Sequence, residues 1–377
     1  METAVGIIAE FNPFHNGHQY LLDQARKQSG ATTVVAIMSG NWMQRGEPAI
    51  FDKWKRAQAA VAAGVDLVIE LPFSGAVQPA HLFAKSAVKI ASEMGIESLA
   101  FGAEHPDMDY DLLIHNQPEK DDSFKKFNEP YASTFQNYLK EKTGINLREP
   151  NDILAFSYAN ANFDLGNPLK LLPIQRIDAD HNEPELSKGS LISSASAIRN
   201  SIFGNSTEFS KFVPESSLHM IYSGFKYDWE QFWPMLRYEL VKTPIEELQR
   251  IYQMTEGIEH RLKDAARKSR SFTDFLETVK TKRYTYTRIQ RLCVYVLVHA
   301  FTDNMLVDPS YLRPLAFNEQ GQRYLNQIKH DTEWPIITKV TDEVVDEFVG
   351  LDYRSSMMQE LVSGEAQDIH RHPFMEI

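Results

Sequence analysis

Two histidines set three positions apart carry the clearest chemistry in this sequence. His15 and His18 stand in Glu10-Phe11-Asn12-Pro13-Phe14-His15-Asn16-Gly17-His18, directly after an apolar run and directly before a helical pattern. Residues i and i+3 at a helix start share one side. Imidazole N–H groups placed there are suited to donate to the α-phosphate of a nucleotide and to the pyrophosphate that leaves it. Pro13 stiffens the turn, Gly17 lets backbone approach a ligand closely, and the open amides of a helix start attract phosphate. A histidine-rich turn that only satisfies local backbone, or half of a metal site, would use the same residues. The position between a strand and a helix favours phosphate.

A second set, Ile192-Ser193-Ser194-Ala195-Ser196-Ala197-Ile198-Arg199, gathers three hydroxyls, helix-start amides and a guanidinium within a turn or two. It suits a triphosphate tail, and its plainer reading is a capped surface helix. A third stretch, Met38 to Pro48, contributes Arg45 as a holder of carboxylate or phosphate. Lys53 and Arg56, on the helix that follows, either add positive charge nearby or form that helix's solvated side. Neither GxxxxGK followed by Ser or Thr nor GxGxxG occurs, so P-loop and dinucleotide-fingerprint readings lack their main support.

The elements that must position these groups alternate regularly. Ala4–Glu10 reads as a buried strand, and a helix runs from Asn16 to Ser29 with Gly30 as its cap. Thr33–Met38 is a second strand; Asp52 caps a helix that stops at Gly64. Val65–Leu71 is a third strand, Phe83–Met94 a helix ended by Gly95, and Ser98–Phe101 a fourth strand cut off at Gly102. This rhythm requires right-handed crossovers, hence an α/β fold with a doubly wound parallel sheet. Ligands then bind beyond the carboxyl ends of the strands, where Glu10–His18, Ser39–Glu47, Leu71–Gln78 and Gly102–His105 lie. Residues 105 to 145 lack a clear period and read as an insertion. Asn151–Asn162 is a further helix, Leu171–Arg176 a further strand, and Ser194–Phe203 a helix opened by serines. After residue 205 the periodicity is mainly helical, as in Pro244–Met254, Gly257–Lys268, Phe272–Lys280 and Arg288–Ala300. The expected division is 1–205 and 206–377.

Composition narrows the class. With 43% hydrophobic and 24% charged residues the chain is ordinary globular protein. The N-terminus lacks the pattern of a signal peptide, and no run of about 18 apolar residues appears, so a cytoplasmic protein without membrane attachment is expected. Cys293 is the single cysteine and sits in an apolar run, which excludes an internal disulfide and points to a buried thiol. The net charge of −12 disfavours a surface that attracts nucleic acid everywhere. It leaves room for one local patch: Glu256 to Arg291 holds ten Lys or Arg against five acids, and KTKRYTYTRIQR interleaves Tyr284 and Tyr286 with cations. Such a pattern suits phosphate contact and base stacking, with a solvated helix pair as the alternative. His370 and His372 form an HRH tail without further ligands, and no metal site is assigned.

HNGH, MSGNWMQRGEPA, DLVIELP, FGAEH, PNDIL and SASAIR occur in that order, followed by TYTRIQRL and RPLAFNEQGQ. In this the chain resembles the bacterial tRNA(Met) cytidine acetate ligase family of the HxGH nucleotidyltransferase superfamily, over nearly its whole length. SASAIR is similar to the ISSTxIR partner motif of that superfamily. The resemblance implies a Rossmann-like nucleotidyltransferase domain and a C-terminal, mainly helical domain that binds tRNA. It further implies ATP-dependent activation of acetate to acetyl-adenylate and acetylation of the wobble cytidine of elongator tRNA(Met) to N4-acetylcytidine; for the departure of pyrophosphate Mg2+ is expected beside ATP. His15, His18 and Arg199 would be the catalytic residues. The ATP site would comprise Ile7, Ile8, Ala9, Glu10, Phe11, Asn12, Pro13, Phe14, His15, Asn16, Gly17, His18, Gln19 and Tyr20, then Gly102, Asn151, Arg176, Ser194, Ser196 and Arg199. The chain departs from the family's usual PNNILG at Asp152 and Ala155, which puts the adenine contacts in question. An adenylyltransferase acting on a small phosphorylated metabolite and a non-catalytic tRNA-binding protein are the competing readings.

Overall fold

A computed structural model of the chain describes residues 2–118, 131–177, 185–369 and 371–376. Part of the expected insertion and His370 lie outside the described residues.

The strands are β1 (Ala4–Ala9), β2 (Thr33–Ser39), β3 (Leu67–Leu71), β4 (Ser98–Ala103), β5 (Lys170–Gln175), β6 (Pro314–Phe317) and β7 (Phe374–Met375). Helices of the first half are α1 (Asn16–Ser29), α2 (Lys53–Ala62), α3 (Phe73–Ala76), α4 (Ala80–Glu93), α5 (Tyr110–His115), α6 (Tyr131–Thr143), α7 (Pro150–Asp164) and α8 (Ala195–Phe203). The second half holds α9 (Glu215–Ser223), α10 (Trp229–Lys242), α11 (Ile245–Leu248), α12 (Ile258–Lys268), α13 (Phe272–Val279) and α14 (Tyr286–Leu297). It continues with α15 (Thr302–Met305), α16 (Glu319–Ile328), α17 (Asp342–Val344) and α18 (Gly350–Ser363).

The sheet order is β5-β4-β1-β2-β3-β6-β7, and the first five strands are all parallel. Successive residues of β1 turn to opposite sides. Val5, Ile7 and Ala9 pack into a core with Leu22, Trp54 and Ala57 of α1 and α2, while Ile8 packs into another with Phe83 and Tyr158 of α4 and α7. Sequential strands β1, β2 and β3 step one way from β1 and β4, β5 the other, so β1 and β4 flank the switch point at which such sheets bind ligands.

Local signals explain the boundaries. α1 begins at His15, whose side chain accepts from Gly17 N, and it ends at Gly30 in the left-handed region (φ 68°). Asp52 caps α2 by accepting from Lys55 N. Helix α4 starts earlier than the expected Phe83, because Pro79 supplies the fixed backbone that opens it.

Two departures concern the region after residue 205. Three residues of β6 pair antiparallel with β3, and β7 pairs with β6, so a region that is mainly helical, as expected, also returns to extend the sheet. The helices between have their own core, centred on Phe232, Leu262, Phe275 and Leu292, but Trp42 and Phe73 from the first half belong to that core too. Cys293 is buried in it.

Lys53 and Arg56 are neither solvated nor in the crevice. Both are fully buried. Lys53 Nζ lies 2.8 Å from Glu70 Oε1 and 2.8 Å from Asp368 Oδ1, and Arg313 bridges the same two carboxylates at 3.1 and 2.7 Å. Arg56 donates to the carbonyls of Phe51, Ser39, Gly40 and Glu10. A buried cation needs such partners, and these two hold the Ser39–Phe51 loop and the end of β1 in place.

Candidate active site

Beyond the ends of β1 and β4 lies a cavity of about 510 Å³. His15 and His18 face each other within it as a stacked pair, with ring centroids 3.8 Å apart and planes 28° apart. The helix start fixes both rings. His15 Nδ1 accepts from Gly17 N at 3.0 Å, and His18 Nδ1 accepts from His15 N at 3.2 Å. A ring nitrogen that accepts carries no proton, so in the neutral imidazole the proton sits on Nε2. Each histidine therefore offers one N–H donor on its outer edge. Burial, reinforced by Arg176 and Arg199, lowers His15 to about 3. Burial, with His15 and Arg176 adding to it, lowers His18 well below 6.5. The pair is neutral at physiological pH. Gly17 is required by the rings themselves, since a Cβ there would stand 2.8 Å from His15 Cε1.

The SASAIR segment lines the same cavity as the histidines. Ser194 caps α8, accepting from Ala197 N at 3.0 Å, which leaves the first amides of that helix directed outward. Arg199, one turn on, donates to Asn12 O at 3.0 Å and Ser196 Oγ at 3.3 Å and lies 3.5 Å from Glu47 Oε2. Arg176 follows β5, its Nε 3.6 Å from Glu104 Oε1, and a Cβ at Gly102 would crowd its Cγ at 3.3 Å. Two helix starts, two neutral imidazole donors and two guanidiniums thus surround one space, an arrangement fitted to phosphate.

The residues expected at the nucleotide divide into two groups. Ile8, Ala9, Glu10, Phe11, Asn12, His15, Gly17, His18 and Tyr20 line the cavity, as do Gly102, Asn151, Arg176, Ser194, Ser196 and Arg199. Ile7, Pro13, Phe14, Asn16 and Gln19 do not. Ile7 and Phe14 are core side chains, Asn16 donates to Leu191 O and Lys211 O, and Gln19 binds Asp23 on the outer face of α1. Gln44, Arg45 and Glu47 line the cavity as well, as the position of the loop after β2 implies, whereas the sequence did not point to Ala80 and Phe83 from α4 or to Leu154 and Tyr158 from α7. The last four looked like ordinary apolar helix positions.

Both departures from PNNILG fall outside the cavity. Asp152 is fully buried; it accepts from Glu104 N and His105 N at 2.9 and 3.0 Å and meets His105 Nδ1 at 2.6 Å, which raises the pKa of that histidine. Ala155 packs in the core.

The basic segment is partly spent on the fold. Arg283 and Arg288 share Glu256 at 3.1 Å each, and Arg261 and Lys263 donate to backbone carbonyls. Tyr284 is buried and cannot stack on a base, whereas Tyr286 is exposed. Lys268, Arg270 and Lys282 remain on the surface. This segment adjoins the site: a Cβ at Gly46 would lie 2.6 Å from Gln290 C and 2.8 Å from Arg291 Cα, so α14 abuts the loop that carries Gln44, Arg45 and Glu47.

The HIGH Nucleotidyl Transferase family matches residues 1–372. Relatives called tRNA(Met) cytidine acetate ligase include one from Levilactobacillus brevis, 47% identical across 98% of this chain and 97% of that protein. Another, from Limosilactobacillus reuteri, is 43% identical across 98% of each. Among solved structures, apo Thermotoga maritima TmcAL superposes with a TM-score of 0.89 at 28% identity, covering 99% of both chains. The same protein bound with alpha-thio ATP gives 0.86 with equal coverage. The chain belongs to the HIGH nucleotidyl transferase family and, within it, to the tRNA(Met) cytidine acetate ligases.

Proposed function

We propose that the chain activates acetate with ATP to form acetyl-adenylate and pyrophosphate, then transfers the acetyl group to N4 of the wobble cytidine of elongator tRNA(Met). The observation that carries this reading is the pair of neutral imidazoles, each held by a backbone amide on Nδ1, which leaves Nε2–H as the donor of a ring that lines the cavity shared by two helix starts. An acetate oxygen attacks the α-phosphorus in line and pyrophosphate departs. His15 and His18 donate to oxygens whose charge grows, and Arg199 and the start of α8 receive the leaving phosphates. Catalysis by positioned donors needs no covalent enzyme intermediate.

ATP is the nucleotide that the alpha-thio ATP complex of the Thermotoga protein supports. Among the described residues no group of three or more His, Cys, Asp or Glu is arranged to hold a metal ion. Mg2+ would therefore arrive on the ATP phosphates and shield their charge, with Glu47, 3.5 Å from Arg199, the carboxylate on that side of the cavity. Residues 1–205 form the nucleotide unit in this reading, and residues 206–377 contribute the tRNA surface through Lys268, Arg270, Lys282 and Tyr286. Among the described residues no helix is long and apolar enough to cross a membrane, in keeping with work on tRNA in the cytoplasm.

Incubation with radiolabelled acetate, ATP and total tRNA, beside a reaction without tRNA, tests the assignment. Label in tRNA is the expected result. ATP turnover that ignores both acetate and tRNA would replace it with the metabolite adenylyltransferase, and tRNA binding without any turnover would replace it with a binding protein.

A further inference from the structure

The cavity has a second wall whose chemistry is unlike that of a phosphate site. Its histidines stand on α1, on one side of the sheet; on the other side it is walled by Ile8, Ala80, Phe83, Phe101, Leu154 and Tyr158. This wall is apolar and aromatic, and a flat heterocycle is the kind of group it accommodates. Glu10 stands at its edge, immediately after β1, close enough to Tyr158 that its charge adds to burial in raising the phenol's pKa. Glu10 Oε1 accepts from Gln44 N at 2.7 Å, while Oε2 has no hydrogen-bond partner among the described residues. A carboxylate is a poor neighbour for triphosphate, since it accepts but does not donate. It is a good neighbour for an amine that has to lose a proton.

We propose that Glu10 is the general base of the acetyl-transfer step and that the aromatic wall beside it seats the cytosine whose N4 amine attacks. The inference rests on the acetyl-adenylate reading given above. In the step, a bond forms between N4 and the acetyl carbonyl carbon, and the bond from that carbon to the adenylate oxygen breaks. AMP leaves with the electron pair, and one N4 proton passes to Glu10 Oε2. Burial and the nearby Glu47 raise the proton affinity of Glu10 above that of a surface carboxylate, while Gln44 N–H, Arg45 and Arg199 oppose them. The net effect leaves Glu10 a stronger base than a surface carboxylate. Glu10, which the sequence reading grouped with the nucleotide contacts, thus acts on the second substrate.

The test separates the two half-reactions in the full chain and in Glu10→Gln. Acetate-dependent exchange between ATP and pyrophosphate reports activation without tRNA. Single-turnover transfer from prepared acetyl-adenylate to tRNA reports the second step alone. Glu10→Gln should slow transfer by about 100-fold or more, the usual scale for a lost general base, and slow exchange by less than about fivefold. Wild-type transfer should rise with pH to a plateau, and the variant should lose that acid limb. Equal losses in both steps, or none in transfer, overturn the proposal. Should Glu10→Gln fail to fold by thermal melt, Glu10→Asp, which draws the carboxylate back by one methylene, must show the same preferential loss in transfer, and equal losses there count against it. A wild type without acetate-dependent exchange would defeat the acetyl-adenylate reading itself, an outcome distinct from either result with the variant.

Discussion

His18 Nδ1 accepts the backbone N–H of His15, and the two rings then stack 3.8 Å apart. One residue's amide thus selects the other's tautomer. Because His15 Nδ1 is itself occupied by Gly17 N, the start of α1 fixes two donors by backbone geometry, before any ligand arrives. Preorganised neutral donors can stabilise charge that develops on phosphate without first reorganising.

Replacement of His18 should therefore act on the chemical step. His18→Ala removes both the donor and the acceptor that tethers His15 N, and acetate-dependent pyrophosphate release should fall by about 100- to 1,000-fold, the scale of a lost oxyanion donor. His18→Gln restores an N–H near the Nε2 position and should recover part of that loss. Equal pyrophosphate release by wild type and His18→Ala would end the assignment.

The same burial makes stability depend on pH. In the folded, ligand-free protein His15 is lowered to about 3 from an ordinary 6.5, so between those values the unfolded chain binds a proton that the folded chain does not. Stability contributed by this site is whole above the ordinary value and is lost progressively as the pH falls from 6.5 towards about 3. Comparing melting temperatures at pH 7.5 and 5.5, wild type should lose more on acidification than His15→Gln. ATP should oppose that loss, since its phosphates favour protonated imidazole. Identical pH slopes for the two proteins would contradict the buried neutral state.

The first half of the molecule was readable because its signals are local. Asn16–Ser29 carries its own cap at each end, Asp52 announces α2, and glycines follow each crossover helix. What escaped depends on distant partners. Pro314–Phe317 is too short to show a strand period, and it becomes one by pairing with Leu67–Ile69. Lys53 and Arg56 looked like the wet side of a helix because the groups that neutralise Lys53 come from Glu70 and Asp368. Phe83 and Tyr158 sit on apolar helix faces, and only the junction of α4 with α7 at the sheet's edge turns them toward a cavity.

Contact between the site loop and the helical half predicts a coupled defect at Gly46. Its φ of 81° is one that other residues adopt only under strain, and its Cα faces the backbone of α14. Gly46→Ala should cost about 1–3 kcal/mol and should also raise the KM for tRNA, because α14 and the loop with Gln44 and Glu47 must move apart. A thermal melt and a KM unchanged by the substitution would show that the two elements are independent.

The buried quartet of Lys53, Arg313, Glu70 and Asp368 gives the sharpest stability test. Lys53 Nζ lies 2.8 Å from each of the two carboxylates, and Arg313 Nη2 lies 2.7 Å from Asp368 Oδ1. Lys53→Met leaves one cation facing two buried carboxylates and should destabilise by about 3–5 kcal/mol, as removal of one member of a buried pair does. Adding Glu70→Leu removes one charge of the opposite sign and leaves Arg313 paired with Asp368. The double variant should then be more stable than the sum of the two single losses by more than about 1 kcal/mol. Denaturant unfolding of the two single variants and the double variant measures this coupling. Simple additivity would mean that the four charges do not act together, and that the C-terminal segment carrying Asp368 is held against α2 by packing alone.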